Sequence, residues 1–320
     1  MHFTTDRPFT RRTAAEHGIN RPALEALLIN GAIRRVVRGV YVATDVPDSR
    51  ELRVAALRQL APPDAVICNE SAAWAYGVNT FKPSEQHRLV PSFVVPHSTT
   101  RMTRPGVSCR QAKIPLQDVD VIDGIRITTP LRTTSDLLRR LYRPYALAAA
   151  DGMARAGLVD VGDLVSFVGR LKGYPGIIQA RSLSVLVDER SQSPGESWMR
   201  LRVHDAGFPP PKPQVHVIDH AGASFYLDLA YPEILVGVEY DGREFHTSAD
   251  HRKHDRRRRE HLRDTLGWRW VVARRESLFG LDTAFEDELG ALLGVPPLLP
   301  RRWGHRDAKT LAHNSLVSGA

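Results

Sequence analysis

Residues Phe225–His246 read FYLDLAYPEILVGVEYDGREFH, two β-type runs around a Tyr-Pro turn. In an extended strand successive side chains leave on opposite faces, so Phe225, Leu227 and Leu229 share one face and Asp228 takes the other. On the second run Val236, Val238 and Tyr240 share a face, and Gly237, Glu239 and Asp241 share its opposite. A hairpin with an even-numbered loop centred between Glu233 and Ile234 sets Asp228 directly across from Glu239, with Cβ atoms roughly 5 Å apart. Facing like charges destabilise paired strands, so something must compensate. A hard divalent cation does this, and Mg²⁺ commonly takes one or two carboxylates together with water and phosphate oxygens. The constellation reads as a metal-dependent phosphodiester-cleaving site; the plainer alternative is a solvated sheet face that binds nothing.

The flanks favour the sharper reading. Gly242 follows Asp241 where the backbone must turn or approach a ligand closely. His246 stands five residues after Asp241, near enough to accept a proton beside a metal. From His251 to Arg263 there are seven Lys or Arg and two acids. If that stretch is helical, Arg252, Arg256, Arg259 and Arg263 share a face by the i, i+4, i+7, i+11 rule, a stripe suited to a phosphate backbone. An ordinary solvated helix is the alternative. His251, His254 and His261 with His246 do not read as a zinc site, which recruits Cys or regularly spaced His. Trp268 and Trp270 alternate on a strand and read as core. Upstream, Ser193-Pro194-Gly195-Glu196 is a helix start, with Ser193 as N-cap, Pro194 at the first position and Glu196 at capping-box spacing.

These residues resemble a family. Asp-x₁₀-Glu-x-Asp at Asp228, Glu239 and Asp241 resembles the PD-(D/E)XK nuclease superfamily. The order Ser193-Pro194-Gly195-Glu196-Ser197, Asp228-Leu229-Ala230, Glu239-Tyr240-Asp241-Gly242, His246, Asp255-Arg256-Arg257-Arg258 and Gly267-Trp268 is similar to a bacterial subgroup near the very-short-patch-repair mismatch endonucleases. The resemblance covers about residues 190–290. It implies Mg²⁺ (or Mn²⁺) held by Asp228, Glu239 and Asp241, and a helix residue, Glu196, turned toward that metal. Asp241 occupies the place of the superfamily's usual Lys, which leaves orientation of the water to His246 or to the metal. Arg256 and Arg259 would then stabilise phosphate charge.

At the N-terminus, Thr13–His17 and Arg21–Asn30 read as two short helices joined by Gly18-Ile19-Asn20, the spacing of a helix-turn-helix. Residues 32–37 and 40–43 alternate around Arg38-Gly39 as a β-hairpin wing. Seven Arg and two Glu fall between Arg7 and Ala43. The second helix offers Arg21 and the wing offers Arg34, Arg35 and Arg38. With Gly39-Val40-Tyr41 at the wing, this resembles the winged-helix domain of AbiE-type antitoxins. The resemblance implies DNA as partner, read by the second helix in the major groove. Winged helices also dock proteins, which is the alternative here.

A chain of 320 residues with 42% hydrophobic content suggests two or three globular domains. No apolar run approaches the roughly 18 residues needed to span a bilayer. The start MHFTTD lacks a signal peptide's pattern. Cys68 and Cys109 form no zinc or disulfide pattern, so a cytoplasmic location is expected. The net charge of +8 is carried almost wholly by Arg, since only six of the 44 basic residues are Lys. Residues 191–320 hold 18 bases and 18 acids, sharply segregated between helix and hairpin.

Residues 51–61, 69–77 and those after Thr129-Pro130 read as helices, with extended runs at 93–96, 106–111 and 125–128. The Ser71-Ala72-Ala73-Trp74 and Thr129-Pro130-Leu131-Arg132-Thr133 stretches are also found in the antitoxin-like family. The expected architecture is α/β in the α+β multidomain sense. It comprises a winged helix-turn-helix (1–45), an antitoxin-like α/β unit (46–150), a helical bridge (151–190), a restriction-endonuclease-like mixed sheet with flanking helices (191–295) and a polar, frayed tail (296–320). The leading function is a metal-dependent DNA endonuclease. The alternative is a non-catalytic, antitoxin-like DNA-binding regulator with a degenerate nuclease domain, and nothing in the sequence reads a 2′-hydroxyl to settle DNA against RNA.

Overall fold

The computed structural model describes residues 5–80, 89–242, 249–279 and 282–298. The fold is mixed α/β, with twelve α-helices and three sheets among the described residues. It divides into two compact units, Met1–Arg140 with Ala156–Arg181, and Leu141–Arg155 with Ser182–Ala320.

The first unit opens with β1 (Phe9–Thr10), α1 (Arg11–Glu16) and α2 (Arg21–Ile29), followed by the hairpin β2 (Ile33–Val37) and β3 (Val40–Ala43). The first helix begins two residues earlier than the sequence suggested, because Thr10 caps it: its hydroxyl accepts from Thr13 N at 3.2 Å. Asn20 caps α2 in the same way, through Ala23 N at 3.0 Å. At the wing tip Gly39 takes φ +85°, a left-handed conformation that side chains avoid. The strands order β1-β3-β2, and Phe9, Ala14, Leu24, Ile33 and Tyr41 form the core of this winged helix.

Next come α3 (Arg50–Arg58), β4 (Val66–Ile67), α4 (Asn69–Ala75), β5 (Ser92–Val95), β6 (Ser108–Gln111), β7 (Val119–Ile122), β8 (Ile125–Thr128) and α5 (Pro130–Arg140). The five strands order β6-β5-β4-β8-β7 in a mixed sheet. Short β4 carries too little alternation to be read as a strand from sequence, whereas β7 was passed over although VDVI and IRIT flank Asp123-Gly124, a two-residue hairpin turn with both φ positive. Under this sheet lies a buried charge network. Asp136, with a fully buried side chain, accepts from Arg132 Nε at 3.1 Å and from Arg139, while Arg132 Nη1 donates to Asp118 at 3.0 Å. Tyr174 covers both guanidiniums, 5.3 Å from Arg132 and 4.9 Å from Arg139. The fork of Arg132 therefore satisfies two acids at once, as a compact ammonium could not.

After α6 (Arg143–Arg155), α7 (Val161–Arg170) and α8 (Ile177–Ser184), the second unit continues with α9 (Pro194–Asp205). It then forms β9 (Lys212–Ile218), β10 (Ser224–Tyr231), β11 (Val236–Tyr240), α10 (Ala249–Leu266), β12 (Arg269–Ala273), α11 (Arg275–Phe279) and α12 (Ala284–Leu293). Its sheet orders β12-β11-β10-β9, with β12 parallel to β11 and the other pairs antiparallel. Arg143 joins α6 to α9 by a two-pronged pair with Asp205, at 2.7 and 3.1 Å. Gly195 lets the start of α9 approach β11 closely: a Cβ there would fall 2.1 Å from the Tyr240 ring. Leu227, Ala230, Leu262 and Trp268 form the core between sheet and α10, as the Trp reading anticipated.

Asp136→Ala is expected to lower unfolding free energy by about 3 kcal/mol, since it removes the carboxylate from Arg139 and leaves Arg132 with Asp118 alone. Urea denaturation checks this, and a loss below about 1 kcal/mol would show that the network is dispensable.

Candidate functional site

The hairpin closes in the register expected from sequence. Leu229 pairs with Val238, Ala230 with Gly237 and Tyr231 with Val236, so the next pair along is Asp228 opposite Glu239. The turn is a single 3₁₀ stretch at Pro232–Ile234, followed by Leu235 in the left-handed region. At the last pair the ladder gives way to a side chain: Tyr240 N donates to Asp228 Oδ2 at 3.0 Å.

The two acids meet different fates. Glu239 is buried, and its two carboxylate oxygens accept from Arg258 Nη2 at 2.5 Å and Arg259 Nη1 at 3.0 Å. Asp228 has no guanidinium hydrogen-bonded to it among the described residues. Burial, the charge of Glu196 and then that of Glu239 push its carboxyl up to about 7, against the opposing bond from Tyr240 N and the charge of Arg258. Glu196 itself accepts from Gln192 N at 2.9 Å and from Gln214 Nε2 at 3.0 Å, while its own N–H donates to Ser193 Oγ at 3.2 Å. Both readings of Glu196 are therefore partly embodied. It sits in a capping box whose carboxylate reaches one residue further back than usual, and its charge is felt at Asp228. Asp241 is drawn off by Arg274, whose Nε donates to it at 3.0 Å. Together Asp228, Glu239, Tyr240, Asp241, Asp255 and the two arginines line an open polar depression.

These placements bear on a divalent cation. Among the described residues no group of three His, Cys, Asp or Glu converges as a metal-holding set. Glu239 would have to exchange two charge-assisted bonds for a cation, and Asp241 one. As placed, the described carboxylates do not fit the three-acid site that the resemblance implied. His246 lies outside the described residues, as does the side chain of Arg252.

The basic helix is real but rotated from the expected stripe. Arg259 turns to the sheet and holds Glu239, whereas Arg256 pairs with Glu260 at 2.9 Å and Arg263 with Asp264 at 2.8 Å near the surface. Arg258 was missed. The signal for it lay in the apolar residues: Leu262 and Leu266 mark the helix face against the sheet, and Arg258 stands four and eight residues before them on that face. Gln214 was missed as well, and its left-handed φ of +50° leaves no trace in a sequence pattern.

In the winged helix, Arg35 and Arg38 are exposed. Arg35 lies over the Tyr41 ring at 5.9 Å, and Arg38 runs along the backbone at Gly106. Arg34 is half-buried, its Nη2 donating to Val46 O at 2.8 Å. Arg21 is exposed but joined to Glu25 at 2.9 Å.

Comparison with known proteins bears on the part of the chain before this hairpin and on the chain as a whole. The profile of the AbiEi antitoxin C-terminal domain matches residues 65–188. Two Mycobacterium tuberculosis proteins, Uncharacterized protein MT2308 of strain CDC 1551 / Oshkosh and Uncharacterized protein Rv2248 of strain ATCC 25618 / H37Rv, are each 31% identical to the chain over 250 residues. Each alignment covers 78% of this chain and 88% of the relative. The chain belongs to the family of these two proteins. No helix among the described residues is long and apolar enough to cross a membrane.

The raised Asp228 carboxyl has a definite sign. Its contribution to stability is fully present below the unfolded value of 3.8 and is lost as pH rises toward the folded value of about 7. Asp228→Asn, which keeps an oxygen acceptor for Tyr240 N, should match the parent near pH 4. Above pH 7 it should be more stable by about 2 kcal/mol, a figure discounted from about 1.4 kcal/mol per pKa unit. Thermal melts across that range check this, and a difference independent of pH would contradict it.

Proposed function

We propose that this member of the family is a DNA-binding regulator of the antitoxin kind, not a nuclease. One observation carries the reading: a basic winged helix and a segment matching the AbiEi antitoxin C-terminal domain follow one another along the chain, from Phe9 to residue 188. A winged helix sets its second helix against the major groove and its wing against the backbone. In this chain Arg35 and Arg38 on the wing, and Arg21 at the start of α2, are the exposed candidates for phosphate. The hold of Arg258 and Arg259 on Glu239 supports the same reading from the other unit, because it gives a nuclease-type hairpin a structural use for its acid. By analogy with the matched domain's name, the binding partner beyond DNA is a cognate toxin protein.

A second reading, phosphodiester hydrolysis assisted by Mg²⁺ or Mn²⁺, is favoured by the acidic surplus at Asp228, where Glu196 and Glu239 both raise the carboxyl. A single set of assays separates the two. On the regulatory reading the full chain shifts duplex DNA in EDTA and leaves supercoiled plasmid intact with either metal. Metal-dependent nicking that disappears in Asp228→Asn would replace it with the nuclease.

The wing supplies the quantitative prediction. Reversing Arg35→Glu and Arg38→Glu together should weaken duplex binding by an order of magnitude or more at low salt. It should also flatten the log–log salt dependence by about 2, near 0.9 for each phosphate no longer neutralised. Unchanged affinity and slope in anisotropy titrations would make the winged helix a protein-docking module.

A further inference from the structure

On the hairpin of β9 and β10, His216 and Tyr226 form a cross-strand pair, two residues before Asp228. Their rings stack at 4.7 Å between centroids, with only 18° between planes. Tyr226 is 60% exposed and Ile218, the next outward residue of β9, is 57% exposed. His216 is exposed beside them. Aromatic rings supply large contact area when covered, and a contiguous exposed apolar patch marks an interaction site. Here a flat ring already has one face supported and the other open.

The surroundings say what would cover it. Arg258 Nη1 donates to the Tyr226 carbonyl at 3.1 Å, while the same guanidinium grips Glu239. Arg257, its neighbour midway along α10, is exposed and has no ion pair among the described residues. The patch is therefore flat and aromatic at its centre and cationic at its edge. An apolar peptide would gain nothing from that edge. A nucleotide uses both parts, the base against the ring and the phosphate against the Arg257 guanidinium. Bases inside a duplex have both faces covered, so only an unpaired base can take this place.

We propose that Tyr226, backed by His216, is a stacking platform for an unpaired nucleobase of single-stranded nucleic acid, whose phosphate meets Arg257 on α10. The platform needs no metal and is independent of duplex binding by the winged helix. Its test uses the full chain in EDTA, with fluorescence anisotropy on a labelled oligothymidylate, an abasic oligomer of the same length and a matched duplex. Tyr226→Ala should weaken oligothymidylate binding about tenfold, the scale of one base–aromatic stack, and leave duplex affinity unchanged. Tyr226→Phe, which keeps the ring, should bind oligothymidylate as the parent does. The parent should hold the abasic oligomer no better than the Ala variant does. The proposal is overturned if Tyr226→Ala binds oligothymidylate like the parent, if abasic and thymidylate oligomers bind the parent equally, or if the parent binds no single strand. A parent that binds oligothymidylate but no duplex would count against the winged-helix reading and leave the platform standing.

Discussion

The second unit turns on the grip of two adjacent arginines on one buried glutamate. Glu239 sits at 4% side-chain exposure, where an unpaired carboxylate would cost several kcal/mol. Arg258 and Arg259 each supply a guanidinium to one of its oxygens, so the charge is neutralised and both acceptors are filled. The pair also ties α10 to β11, since neither residue can leave without stranding the acid. Trp270 reinforces that junction from β12, its indole N–H donating to the carbonyl of Arg259 at 3.1 Å. The like-charge problem posed by the hairpin thus has a solution within the chain. It is only half a solution, because burial and the charges of Glu196 and Glu239 still push the Asp228 carboxyl up to about 7.

That division of labour explains why an acid-rich hairpin can serve a protein whose match lies with antitoxins. A catalytic cation site needs carboxylates whose oxygens are available. Here one acid is held by α10, one by Arg274, and the third, Asp228, is pushed upward chiefly by burial. What the unit presents outward is an aromatic ring pair and the exposed arginines of α10. The first unit makes a parallel use of arginine. Asp136 and Asp118 hold Arg132 and Arg139 in the interior, leaving the wing arginines to face solvent.

How much of this was legible depended on range. The winged helix could be read because its Gly18 and Gly39 turns and its alternation are local, although the Thr10 cap was missed. The Asp228–Glu239 register could be read because a two-fold side-chain period and a turn centre fix it together. The five-stranded sheet was read only in part, since β4 is too short to carry a period and gains its pairing from distant strands, and the local Asp123-Gly124 hairpin of β7 and β8 was passed over. The rotation of α10 was readable in principle from Leu262 and Leu266, yet counting arginines alone set Arg259 on the wrong side. Gln214 and the Tyr226–His216 stack depend on cross-strand packing, which no single segment records.

Manganese titration of the full chain, followed by calorimetry or by the electron spin resonance of free Mn²⁺, tests the role of the grip on Glu239 most directly. If Glu239 is committed to Arg258 and Arg259, the parent takes up no Mn²⁺ saturably at micromolar concentrations. Replacing both arginines by Ala then creates such binding, because two or three unbalanced carboxylates are left around Asp228. Saturable micromolar uptake by the parent that is abolished by Asp228→Asn would contradict the account and return the hairpin to a metal site.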